Sequence, residues 1–223
     1  MNIKLFFEAI FKFSLGVLLV GLLIFIPAGT IKFLNGWLFM GLLFIPMFIA
    51  GIVMMIKSPN LLKSRLNAKE KVKEQKKIVA ISGLMFLIGF ILAGLNYRFN
   101  WIDLPNVVVI ISSIVFLLSY ILYAEVLREN AFLSRTIKVE KKQKLIDTGL
   151  YGVVRHPMYL ATIFLFLSMP LILESLISFI VFLIYPFIII RRLNNEESVL
   201  EKELKGYKEY KKKVRYKLIP FIW

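Results

Sequence analysis

The sequence predicts an all-α, polytopic membrane protein with about six transmembrane helices, the last two forming a hairpin, followed by an amphipathic cytoplasmic tail. Three observations predict it. Of the 223 residues, 59% are hydrophobic, and the mean hydropathy is +0.76; soluble domains are usually about 45–50% apolar. Six stretches, 13–31, 33–56, 78–97, 104–124, 157–173 and 175–190, contain no Asp, Glu, Lys or Arg. The first four reach the roughly 20 residues that a helix needs to cross a ~30 Å hydrocarbon core, and in lipid an open chain satisfies its backbone only as helix. Finally, basic residues collect in 57–77 (eight), 128–155 (seven) and 191–217 (ten), with Lys4 and Lys12 at the start, whereas only Lys32 and Arg98 fall on the opposite side. That is the positive-inside distribution. It assigns the net charge of +15 to membrane orientation and argues against a nucleic-acid partner.

Taken in order, spans one and two (about 10–28 and 34–56) enclose a short outer loop, and Pro27 and Gly29 mark the end of the first helix. The apolar run of span one exceeds the ~7–15 residues of a signal-peptide core, so an uncleaved first span is expected. The basic segment 57–77 reads as a solvated cytoplasmic loop, with its turn at Ser58-Pro59-Asn60 and a helical second half. Spans three and four (about 78–96 and 104–127) follow, with Tyr97 and Trp101 suited to the aromatic belt at the outer interface.

Residues 157–190 decide the topology. As one helix they would be ~51 Å long, and a single crossing would leave the basic tail outside. A hairpin removes both problems, with Met169-Pro170 breaking the helix and Glu174 at the outer turn. In the tail, Leu193, Leu200, Leu204, Tyr207 and Val214 recur near helical spacing among charges, which predicts an amphipathic helix on the cytoplasmic interface. The division read from this pattern is 1–124, N-terminal transmembrane helices, and 125–223, hairpin 157–190 plus tail 191–223, within one membrane domain.

Two clusters carry chemistry. In Arg155-His156-Pro157-Met158-Tyr159 the proline marks a helix start, so Arg155 and His156 flank an N-terminus whose free N–H groups favour an anion. The same residues also suit basic interface positions beside an aromatic anchor, and from physics alone the two readings stand level. Glu196 and Glu197, just past the last span, suit a salt bridge to Arg155, Arg191 or Arg192, or the ammonium group of a ligand. The absence of cysteine excludes disulfides and thiolate sites, and a single histidine argues against a metal centre.

Together the clusters resemble the isoprenylcysteine carboxyl methyltransferase (ICMT)-like family of integral-membrane methyltransferases. The motifs are Gly149-Leu150-Tyr151, Arg155-His156-Pro157-Met158-Tyr159, Glu196-Glu197-Ser198-Val199-Leu200, Tyr207-Lys208-Glu209-Tyr210 and Pro220, in the family's order and spacing over about residues 125–223. The first half of the chain matches only as hydrophobic helices. Where the family usually has glycine, two residues after the motif tyrosine, this chain has Ala161, a methyl that narrows the helix contact or the acceptor tunnel.

The resemblance implies methyl transfer from S-adenosyl-L-methionine (SAM) to a lipophilic, membrane-embedded acceptor, a carboxylate, thiol or amine, at the cytoplasmic face. It implies a cofactor site of Gly149, Tyr151, His156, Pro157, Tyr159, Glu196, Glu197 and Leu200. Arg155 or Arg215 is expected to orient the acceptor. Successive helical residues point about 100° apart, so one glutamate of the pair is expected to face the cofactor, and Glu197 is the one read there. The implied partners are the acceptor and membrane lipids, with no metal, in a multi-pass protein of a prokaryotic plasma membrane with both termini cytoplasmic. Two rivals remain: an NADPH-dependent reductase related to sterol reductases, and a non-catalytic membrane assembly protein.

Overall fold

The structure is a computed structural model that describes residues 3–67, 73–130, 132–133 and 143–223. Among these there are helices and turns but no strand. Each long charge-free stretch becomes a helix: α1 (Ile3–Ala28), α2 (Leu34–Lys57), α4 (Lys73–Phe99) and α5 (Asn106–Glu129), with the short α3 (Pro59–Leu66) between α2 and α4. The C-terminal half follows as a 3-10 turn (Gly149–Gly152), α6 (Pro157–Ile172), α7 (Leu176–Phe182), α8 (Tyr185–Glu203) and α9 (Tyr207–Lys213).

Five segments are long and apolar enough to cross a membrane: α1, α2, α4, α5, and α7 with α8 taken together. The chain is thus a polytopic, all-helical membrane protein. The outward faces agree, since Phe11, Leu18, Ile26 and Ile121 are all more than half exposed, and such side chains gain nothing by leaving lipid for one another. Inside, aromatic rings form the centre. Phe39 lies 5.6 Å from Phe90 and 6.2 Å from Phe116, and Phe182 lies 6.1 Å from Phe90.

The hairpin forms, with α6 packed against α5 on one side and against α7 and α8 on the other. Two of its details differ from expectation, the course of α6 past Pro170 and the division of the return arm. Pro170 does not break the helix; it sits in the last turn of α6, which runs on to Ile172, giving up the bond to the carbonyl four residues back and crowding that carbonyl. The reversal lies at Glu174, where the sequence puts it, with φ +57, held by Asn96, which donates to the Glu174 carbonyl at 3.0 Å, and by Asn35, which donates to its carboxylate at 2.7 Å. The first arm has 16 residues, about 24 Å, and is therefore shorter than a full crossing. The return arm is two helices, separated at Leu183 and Ile184 just ahead of Pro186.

Two further corrections concern the polar segments. Pro59 is the first residue of α3 rather than part of a turn, so the first half of the 57–77 segment is helical too; the expected helical second half falls partly on 68–72, outside the described residues. The tail is not a single interfacial helix. Helix α8 extends to Glu203, Gly206 takes a left-handed φ of +86, and α9 turns back so that Leu204, Tyr207, Tyr210 and Val214 bury one another with Leu145 and Leu200 against them. Apolar residues spaced as one helical stripe are gathered by that glycine into a small core of their own.

Candidate functional site

The site is assembled at the end of the bundle that carries the basic residues, beginning with the turn before α6. Gly149 has φ +57, and a Cβ there would collide with the Glu129 carboxylate. That carboxylate, at the end of α5, accepts the Leu150 N–H at 3.0 and 3.2 Å from its two oxygens. Only a glycine lets the chain turn left-handed so close to the acid. The turn delivers Tyr151 inward. Its hydroxyl accepts from Asn130 Nδ2 at 3.1 Å, and its carbonyl accepts from the Tyr210 hydroxyl at 2.7 Å.

Arg155 is buried, with its side chain 3% exposed, and it ties three segments together. Its Nε meets Glu197 Oε1 at 2.6 Å, and its Nη1 donates to the carbonyls of Val214 and Arg215 at 2.7 and 2.8 Å. The backbone joins in, since the N–H groups of Arg155 and His156 donate to the carbonyls of Tyr216 and Lys217 at 3.0 and 2.9 Å. His156 Nε2 lies 3.3 Å from the same Glu197 oxygen. Lys211 and Lys217 approach the other oxygen at 3.5 and 3.8 Å. A carboxylate this enclosed needs such a set of donors to remain charged.

The neighbouring glutamate faces elsewhere. Glu196 accepts from the Tyr159 hydroxyl, and Arg192 Nε donates to that same hydroxyl at 3.1 Å. The His156 ring stacks on the Tyr159 ring at 5.8 Å. Around this triad opens a cleft between α6, α8, α9 and the segment 143–146. From α3, Arg65 reaches the cleft-wall residue Met158, its Nη1 4.0 Å from the sulfur.

Of the residues singled out from the sequence, Tyr151, Arg155, His156, Tyr159, Glu196 and Leu200 line this cleft. Gly149, Pro157, Glu197 and Arg215 are not among its lining residues. Gly149 shapes the turn, and Pro157 is the buried first residue of α6. Glu197 is the buried counter-ion of Arg155, so the glutamate expected to face the cofactor is replaced at the cleft by Glu196. Arg215 has an exposed side chain and enters the site only through its carbonyl. The cleft also takes in Arg192, Tyr207, Tyr210 and Leu145, which were not read as site residues. Arg192 was detectable, since it precedes Glu196 by four residues and so shares its helix face. Nothing in the sequence marks Leu145.

Burial pushes the phenols of Tyr151, Tyr207 and Tyr210 well above their ordinary range, with nearby carboxylates adding to the rise at Tyr151 and Tyr207. All three stay protonated at physiological pH. The Tyr207 hydroxyl is buried and has no hydrogen-bond partner among the described residues.

Fold and cleft define an integral-membrane helical protein with a polar cleft, rich in tyrosine and charge, at one end of its bundle. Comparison with known families adds to this: residues 106–206 match the phospholipid methyltransferase family, which bears out over that stretch the resemblance to ICMT-like membrane methyltransferases. The chain is also similar, at 31% identity over 91 residues, to a Delta(14)-sterol reductase of Mus musculus. That similarity covers 40% of this chain and 22% of the reductase, so the chain matches about a fifth of that relative's length.

Proposed function

We propose that this protein is a SAM-dependent methyltransferase acting on a lipophilic acceptor, a carboxylate, thiol or amine, at the cytoplasmic face of the membrane. One observation carries the proposal: the stretch matched to the methyltransferase family contains every residue that lines the cleft except Tyr207 and Tyr210.

The residues present fit the donor. Its ammonium suits Glu196, its carboxylate suits the cationic Arg192 and Lys144, and its sulfonium suits the faces of Tyr159 and Tyr151. The partnerless Tyr207 hydroxyl offers a further hydrogen bond. When bound, SAM supplies an electrophilic methyl whose transfer leaves a neutral thioether. The task of the chain is then to bind, orient and exclude water. Glu196, Tyr159 and Arg192 bind. Arg155 and Glu197 act as positioning residues, since their ion pair fixes the tail over the cleft mouth. Gly149 and Pro157 set the backbone at that mouth, and Leu200 is an apolar wall. Arg215 has no part in orienting the acceptor in this proposal.

The similarity to a sterol reductase supports a second reading, an NADPH-dependent reductase. Calorimetric titration of the purified protein with SAM and, separately, with NADPH distinguishes them. Saturable SAM binding in the micromolar range with no NADPH heat is the expected result. NADPH binding with no response to SAM would establish the reductase reading instead.

A further inference from the structure

Among the polar groups of the cleft, the Tyr207 hydroxyl stands apart. Tyr207 is the first residue of α9, lines the cleft, and is 3% exposed. Its hydroxyl is buried without a hydrogen-bond partner among the described residues. The neighbouring phenols are all engaged: Tyr210 with the Tyr151 carbonyl, Tyr151 with Asn130, and Tyr159 between Glu196 and Arg192. Leaving a buried hydroxyl unpaired is costly, and native structures seldom do so without a ligand, ion or water to meet it.

The surroundings select the kind of ligand. Leu145, Leu200, Leu204 and Tyr210 pack around Tyr207, and all four also line the cleft. The Tyr207 and Tyr210 rings lie 5.7 Å apart at 56°. The cluster that holds this phenol is thus apolar and aromatic, while Glu197, Glu196 and Arg155 act on it electrostatically. A neutral O–H set in apolar walls suits a flat heteroaromatic ring, whose faces want apolar contact and whose ring nitrogens want one donor. A phosphate or carboxylate there would meet a single neutral donor and the nearby negative glutamates.

We propose that Tyr207 reads the purine base of the adenosyl donor, its hydroxyl donating to a ring nitrogen while Leu145, Leu200 and Leu204 enclose the base. This rests on the SAM reading above and gives the two tail tyrosines different tasks. Tyr210 ties the tail to the Tyr151 turn, and Tyr207 contributes specificity.

The test uses the full chain in lipid nanodiscs and its Tyr207→Phe variant, titrated with S-adenosylhomocysteine and with its 1-deaza, 3-deaza and 7-deaza analogues. Loss of one neutral hydrogen bond should weaken S-adenosylhomocysteine binding about 5- to 10-fold in the variant. Without ligand, the melting midpoint of the variant should equal or exceed that of the wild type, because an unpaired buried hydroxyl has been removed. One deaza analogue should show the same loss in the wild type and no further loss in the variant. Unchanged affinity in the variant would overturn the assignment, as would losses that add for all three analogues or a lowered midpoint without ligand. If the wild type itself bound no S-adenosylhomocysteine, the donor reading would fall and this inference with it; full binding by both proteins would sink the Tyr207 assignment alone.

Discussion

At the scale of single residues, the adjacent carboxylates Glu196 and Glu197 have different environments and should behave differently when neutralised. Glu197 has a side chain 5% exposed, between Arg155 and His156. Removing its charge leaves the Arg155 guanidinium buried without a counter-ion, a change that typically costs about 3–5 kcal/mol. Glu197→Gln should therefore lower the thermal midpoint markedly, and ligand affinity should fall with it. Glu196 is only partly buried and faces the cleft. Glu196→Gln should leave the midpoint within the small range of ordinary surface changes, about ±0.5 kcal/mol, while SAM affinity drops. Thermal melts and titrations of both variants check this; equal destabilisation by the two would show that the pair acts as one structural unit. The sequence makes the pair legible as a carboxylate site but not which member faces the ligand. That depends on the phase of α8 relative to Arg155, and Arg155 is held by carbonyls of residues 214 and 215, a tertiary contact with no local signal.

At the scale of elements, the hydrophobic runs foretell α1, α2, α4, α5 and both arms of the hairpin, because lipid demands long apolar helices and charge marks their ends. The hairpin turn is less legible. Glu174 is read at the outer turn, but Pro170 does not break the helix as its sequence suggests, and the two asparagines that hold the turn are distant in sequence. The tail is the least legible. Its apolar spacing reads as one surface helix, but Gly206 divides it and folds α9 onto Leu145 and Leu200. This changes what the tail is for. Residues 214–217 accept four hydrogen bonds from Arg155 and the His156 backbone, and α9 contributes Tyr207 and Tyr210 to the cleft wall. A chain ending after Lys205 keeps α1 to α8 but loses every one of these contacts. It should still insert into the membrane and should no longer bind SAM, as measured by membrane fractionation and titration. Normal SAM affinity in the inserted, shortened protein would reduce the tail to a cover.

At the scale of the whole molecule, the cleft lies at one end of the bundle and the Glu174 turn at the other, so the function depends on which end meets which compartment. The charge distribution supplies the expected orientation. Lys57 closes α2, Lys63 and Arg65 lie on α3, Arg128 falls in the last turn of α5, and α8, α9 and the link between them carry Arg191, Arg192, Lys202, Lys205, Lys208 and Lys211–Lys213, all at the cleft end. Lys32 and Arg98 stand at the far end beside Asp103 and Glu174. Lysine and arginine in short loops are retained on the cytoplasmic side, so the cleft should open to the cytoplasm, where a soluble donor would reach it. The chain has no cysteine, so single introduced thiols report their own position. Ser175, at the hairpin turn, is a poor choice because it is fully buried and caps α7, and Ser134 lies outside the described residues. Asp103 and Ser198 are both exposed and lie at opposite ends of the bundle. In intact cells a membrane-impermeant maleimide should label Asp103→Cys and leave Ser198→Cys unlabelled until the membrane is opened. The reverse pattern would put the cleft on the outer face and remove its access to an intracellular donor. Labelling of both in intact cells would contradict a bundle that separates the two ends, and with it the spans assigned to α1, α2, α4 and α5.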